Sequence, residues 1–238
     1  MRRSAKLFLP IAALVLVAVA LAAYLKFANT KPGYWEDEVR ALELAAQQVP
    51  PPNNAVLFIG SSSIRLWSTL AEDMAPIPVI KHGFGGSKLP DLVFNAKRLV
   101  NPWHPAAVVV FAGANDLLAT PPAEPAALLA SYQLFVSKVR GALRDVPVYY
   151  IAITPAPNRM QLWPRIQATN QLIQAYTETD EQLYFIDTGP ALMNGSGVPD
   201  AKYYLDDNMH FNAQGYGVWR ELIRDQLLQD FPAYQPAS

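Results

Sequence analysis

Two distant stretches of this 238-residue chain carry the side chains of nucleophilic catalysis. In YLDDNMHFNAQGY, Asp207 and His210 stand three residues apart, close enough to touch within one turn of chain. A carboxylate so placed can accept the imidazole Nδ1–H, fix the tautomer and stabilise the imidazolium, the orienting and basic half of a triad. Asp206, four residues from His210, is a second candidate partner, and a capping turn beside a surface histidine is the plain structural alternative. The other half is a hydroxyl, which needs such a base at neutral pH. VLFIGSSSIRLW supplies three, Ser61, Ser62 and Ser63, directly after an apolar run that stops at Gly60. A polar turn after a buried strand has the same composition.

Two further segments offer donors for a developing oxyanion. In GANDL, the side-chain amide of Asn115 follows an apolar run and a glycine. Such a donor is worth roughly 10²–10³ in rate, although an Asx-turn is the commoner fate of Asn-Asp there. In KHGFGGSK, Gly83, Gly85 and Gly86 can present bare backbone N–H groups or merely make a turn. The segment fits neither the P-loop pattern nor G-x-G-x-x-G, which argues against a phosphate cradle. Gly60-Ser61-Ser62-Ser63-Ile64 also departs from the G-x-S-x-G elbow, because Ile64 replaces the second glycine. The chain has three histidines and no cysteine, which excludes thiolate catalysis, disulfides and Cys-based zinc sites. His104 precedes an apolar run and so sits at the wrong end of a strand, and His82 has no evident acid partner, so both read as structural.

The elements that must position these residues alternate. Apolar runs at 55–59, 78–81, 107–112, 148–153 and 184–186 read as strands. AVVVFAG and VPVYYIAIT are continuous rather than alternating, the pattern of strands buried on both faces of a parallel sheet. Helices are expected over 64–73, 90–99, 126–143 and 163–179, with a last one after Asn212. This order predicts a three-layer α/β/α sandwich with a five-stranded parallel sheet. Ligands bind at the carboxyl ends of such strands, where all the segments above fall.

The N-terminus is different in kind. Arg2, Arg3 and Lys6 precede an apolar stretch from Leu7 to Leu25, which as a helix spans roughly 28 Å, close to a bilayer's hydrocarbon thickness. The basic flank predicts a transmembrane signal anchor at 1–26 in the cytoplasmic membrane, with the rest of the chain on the extracytoplasmic, periplasmic side. A cleaved signal peptide ending at Ala20-Leu21-Ala22 is the competing reading. Residues 27–54 read as a linker with an amphipathic helix, and 55–238 as the catalytic-type domain. A net charge of −1 argues against a nucleic-acid partner.

FIGSSSIRLW, GFGGSKL, GANDL and DDNMHFNAQGY, in that order from about residue 55 to the end of the last helix, resemble the signature segments of the SGNH hydrolases, also called GDSL-like esterases. The resemblance implies a flavodoxin-like fold of the SGNH type. It implies Ser62 as nucleophile, His210 as base and Asp207 as its orienting acid. It further implies an oxyanion hole from the Ser62 and Gly86 N–H groups and the Asn115 amide. The family's G-D-S reads G-S-S here because Ser61 replaces the Asp, as in the bacterial lysophospholipase- and platelet-activating-factor-acetylhydrolase-like branch. Lys81 stands where relatives often have Asn. No metal or organic cofactor is implied, and the expected substrate is a small ester, either a lipid or an acylated sugar. A non-catalytic binding module on the same fold is the remaining alternative. Met160, Leu162 and Trp163 are candidates for an acyl pocket.

Overall fold

The computed structural model describes residues 33–48, 50–119 and 121–234. The apolar stretch at 7–25 lies outside these residues. Among the described residues no helix is long and apolar enough to cross a membrane.

The five apolar runs form β1 (Val56–Gly60), β2 (Val79–Gly83), β3 (Ala107–Phe111), β4 (Val148–Ile151) and β5 (Leu183–Ile186). They pair in the order β2-β1-β3-β4-β5, parallel throughout. β1, β3 and β4 are buried along their whole length, which accounts for their unbroken apolar sequence. The edge strand β2 alternates instead, with Lys81 exposed between buried Ile80 and His82.

Successive strand residues feed two cores. Leu57, Ile59, Val108, Val110 and Tyr150 pack beneath α1 (Glu36–Gln48), α4 (Leu89–Leu99), α6 (Pro125–Arg140) and α7 (Trp163–Thr177). Val56, Phe58, Val109, Phe111 and Tyr149 pack beneath α2 (Ser62–Leu66), α3 (Leu70–Met74) and α8 (Ala213–Asp230). The result is the expected three-layer α/β/α sandwich. The chain leaves β1 to place β2 on one side and then crosses to place β3 on the other. The connections therefore diverge between the carboxyl ends of β1 and β3, and the crevice left there is where such sheets bind ligands.

α8 begins at Asn212, whose side-chain oxygen accepts the N–H groups of Gln214 and Gly215 at 2.9 and 3.1 Å. Its residues Tyr216, Trp219, Ile223 and Leu227, at helical spacing, are buried against the sheet. The helix expected over 64–73 is broken into α2 and α3. Trp67 leaves helical geometry at ψ 82°. Its indole is thereby stacked on Tyr216 at 5.3 Å, and its N–H donates to Asp73 at 2.7 Å. Lys81 donates to the freed Trp67 carbonyl at 3.2 Å, which gives the residue at this position a role in the break. A short helix not expected from the sequence, α5 (Ala114–Leu118), follows β3. The other expected elements are present with shifted ends.

His82 is 2 % exposed, with Nδ1 2.7 Å from the Leu99 carbonyl and its ring edge-on to Trp103 at 4.4 Å. Burial lowers its pKa from 6.5 to about 4, so the folded chain keeps it neutral where the unfolded chain would protonate it. Its contribution to stability is therefore intact above pH 6.5 and fades as the pH falls toward 4. The shift corresponds to about 3 kcal/mol. His82→Gln, which keeps a donor for Leu99, should flatten the decline of unfolding free energy across this window in urea titrations. Equal declines in the two proteins would contradict the assignment.

Candidate active site

The serine turn is set by close packing at the end of β1. A Cβ on Gly60 would lie 2.1 Å from the Phe111 carbonyl oxygen, so only glycine permits this approach to β3. The Ser61 N–H donates to that same carbonyl at 3.2 Å, and its own carbonyl accepts from Ile64 and Arg65 to start α2. Ser61 is thereby buried, and the Ser63 carbonyl accepts from the Tyr216 hydroxyl at 2.8 Å. Ser62 is the member of the trio whose hydroxyl meets an imidazole, with Oγ 2.9 Å from His210 Nε2 across 148 residues of sequence.

His210 arrives on a tight loop closed by an antiparallel bridge between Tyr204 and Phe211. The Leu205 N–H donates to the His210 carbonyl at 2.8 Å, and Asn208 takes a left-handed φ of 56°. Asp207 serves this loop twice. Its Oδ1 accepts the N–H groups of Met209 and His210, each at 2.9 Å, and its Oδ2 lies 2.6 Å from His210 Nδ1. Burial pushes the Asp207 carboxyl up, but these N–H donors and the imidazole outweigh it and hold the pKa at about 2. Asp206 makes no bond to the imidazole, and its carbonyl accepts from Asn208 instead. Asn158 braces the loop from the β4 side, donating to the carbonyls of Asn208 and Asp207 at 3.2 and 3.0 Å. At the other end, the Asn212 amide donates to the carbonyls of Lys202 and Tyr204 at 2.7 and 3.1 Å.

The two glycine- and asparagine-bearing segments meet beside Ser62. Gly86 has φ 83°, a conformation that favours glycine. Among the described residues no protein acceptor takes up its N–H. Asn115, in α5, donates one amide hydrogen to the Ser87 carbonyl at 3.0 Å, leaving the second free. Its neighbour Asp116 accepts the Leu89 N–H at 3.2 Å, where α4 begins. These two bonds stitch the loop after β3 to the loop after β2, and so fix Gly86 relative to Asn115.

Ser62, Gly86, Asn115 and His210 line one cleft of about 490 Å³, together with Arg65, Arg159, Met209, Gly85 and Glu38. Of the proposed acyl-pocket residues, none lines this cleft. Leu162 packs on the core, and Trp163 lines a separate cleft of about 340 Å³. Arg65, Arg159 and Met209 were not singled out from the sequence, although the first and last lie inside the segments FIGSSSIRLW and DDNMHFNAQGY. Among the described residues no group of three or more His, Asp or Glu stands ready to hold a metal ion.

A hydroxyl hydrogen-bonded to an imidazole, itself bonded to a carboxylate, can be deprotonated as it attacks an electrophile. Donors on the far side of the attacked carbon can hold the oxyanion that forms. Residues 59–218, well over half of the chain, match the GDSL-like lipase/acylhydrolase family. Among solved structures, a protein from Streptococcus pneumonia proposed to be a platelet activating factor superposes with a TM-score of 0.72 at 18% identity, covering 87% of this chain and 99% of that one. A GDSL-like lipase from Bacteroides thetaiotaomicron gives 0.69 at 19% identity, covering 81% and 98%. A carbohydrate esterase of family 3 from Talaromyces cellulolyticus gives 0.60 at 18% identity, covering 76% and 99%. At these identities the likeness establishes the fold. No curated protein sequence matches the chain.

Asp116 carries a checkable electrostatic consequence of this packing. Burial raises its pKa to about 7 against the bonds from the Leu89 N–H and its own N–H, and Asp91 adds to the rise. The folded chain then holds a proton that the unfolded chain releases above 3.8, so this group costs stability increasingly as pH climbs toward 7. Infrared difference spectra should show a protonated carboxyl band that titrates near neutral pH and vanishes in Asp116→Asn. A band that titrates in the ordinary carboxylate range would contradict this.

Proposed function

The chain belongs to the GDSL-like lipase/acylhydrolase family, and from that premise we propose that it hydrolyses carboxylic esters through an acyl-serine at Ser62. The observation that carries the reading is the 2.9 Å bond between Ser62 Oγ and His210 Nε2, with Asp207 2.6 Å behind the imidazole.

In this mechanism Ser62 Oγ attacks the ester carbonyl carbon while His210 Nε2 takes its proton. The carbonyl oxygen becomes an oxyanion, held by the N–H groups of Ser62 and Gly86 and the free amide hydrogen of Asn115. Collapse of the tetrahedral species breaks the bond to the alcohol oxygen, which leaves with the proton from His210. Water then attacks the acyl-serine with His210 again as base, releasing the acid and restoring Ser62. Asp207 stays ionised throughout and stabilises each transient imidazolium. Its low pKa supports this role, since the carboxylate stays ionised until the pH falls to about 2.

The proposed substrates are lipid or other small acyl esters. Removal of O-acetyl groups from carbohydrate by the same site is a second reading, supported by the carbohydrate esterase among the structural neighbours. An exported, membrane-anchored enzyme is further proposed from the basic residues Arg2, Arg3 and Lys6 ahead of the apolar stretch. A cleaved, secreted form is the other outcome, and membrane fractionation with an N-terminal sequence of the mature chain separates the two.

Turnover of p-nitrophenyl acetate should fall at least ~10³-fold in Ser62→Ala. Asp207→Asn, which offers the imidazole the wrong partner, should lower kcat by ~10³–10⁴, and Asn115→Ala by ~10²–10³. A Ser62→Ala variant as active as the parent would end the proposal. A panel of acyl chain lengths run beside acetylated sugars decides between the two substrate classes.

A further inference from the structure

Two cationic side chains line the cleft that holds Ser62, and the mechanism above uses neither. Arg98, Arg140 and Arg165 all find carboxylates within ion-pair distance elsewhere in the fold. Among the described residues Arg65 and Arg159 are joined to none. Glu38 shares the cleft with them and is ion-paired with neither.

Arg159 is the more constrained of the two. Among the described residues its Nε is buried without a hydrogen-bond partner, and its Nη2 meets only the thioether sulfur of Met209, a weak acceptor. Burial lowers its pKa, while the charge of nearby Asp207 works the other way. That carboxylate is already committed to His210 and to two backbone N–H groups. A half-buried guanidinium short of acceptors is costly, and an incoming anion would relieve the cost. Arg65 lines the same cleft beside the glycine turn. Its guanidinium lies against Gly85, where a Cβ would stand 2.8 Å from Nε and 3.1 Å from Nη2. The missing side chain at Gly85 thus leaves the guanidinium room beside the Gly86 turn.

Position decides which half of the ester Arg159 faces. His210 must hand its proton to the departing alcohol oxygen, so the alcohol half extends past His210. Arg159 borders that side through Met209, the residue before His210. We propose that Arg65 and Arg159 form an anion subsite beside Ser62, selecting esters whose alcohol half carries a phosphate or a carboxylate. This rests on the ester-hydrolase reading above and narrows its substrate class.

Matched ester pairs test the subsite: butyryl glycerol phosphate against butyryl glycerol, and acetylated glucuronate against acetylated glucose. At low ionic strength at least one charged ester should exceed its neutral counterpart in kcat/KM by roughly ten-fold or more, the worth of a charge-assisted hydrogen bond. The pair that shows the preference identifies the anion as phosphate or carboxylate. In Arg65→Gln and Arg159→Gln the charged-to-neutral ratio should drop toward one, mainly through KM, and Arg159→Lys should restore part of it. Because each protein is its own control, a partly misfolded variant does not mimic this change. A ratio near one for both pairs in the parent, or ratios unchanged in both Gln variants, overturns the subsite while leaving ester hydrolysis standing. If no ester, charged or neutral, is turned over, the ester-hydrolase reading fails and the subsite with it.

Discussion

A hydrogen bond between Ser62 and His210 requires two loops 148 residues apart in the sequence to be held in register. Neither loop can do this alone. The serine turn is pinned from below, where Gly60 and Ser61 press on the Phe111 carbonyl. The histidine loop is pinned from both flanks by Asn158 and Asn212. The link between the two is α8. Its Tyr216 stacks on Trp67 and donates its hydroxyl to the Ser63 carbonyl, while Asn212 at its start holds the loop that carries His210. The aromatic core of Trp67, Tyr216, Trp219 and Phe211 therefore does more than bury area. It sets the distance between a hydroxyl and an imidazole.

The second constraint is electrostatic. In the proposed mechanism the donors that receive the oxyanion must stay unspent in the resting protein. Gly86, on the exposed side of its turn, offers a backbone N–H that no other described residue takes up, and Asn115 commits only one of its two amide hydrogens there. Their mutual placement depends on Asp116, a buried acid that receives the first N–H of α4. Burying a carboxyl there raises its pKa to about 7.

The parallel sheet was legible in the sequence because its central strands, buried on two faces, must be apolar without interruption. The chemistry-bearing residues were legible because each follows a strand, and a doubly wound sheet gathers strand ends at one rim. Choosing Ser62 over Ser61 and Ser63, or Asp207 over Asp206, was not possible from residue types alone. That choice depends on the φ of single loop residues and on one-residue differences in direction, which only the resemblance to a family supplied. The break at Trp67 was hidden for a related reason. A run of residues with ordinary helix propensity gives way to a tertiary contact, here the stacking of one indole on Tyr216. Arg159 escaped notice because its segment read as apolar lining, whereas the cleft takes its one charged side chain.

The convergence of residues 62, 207 and 210 is tested most directly by covalent labelling with a fluorophosphonate, followed by peptide mapping. A single adduct on Ser62 is expected, with labelling slowed by orders of magnitude in His210→Ala because the base that activates the hydroxyl is gone. An adduct on Ser61 or Ser63, or labelling of Ser62 at an undiminished rate without His210, would contradict the arrangement on which the chemistry depends.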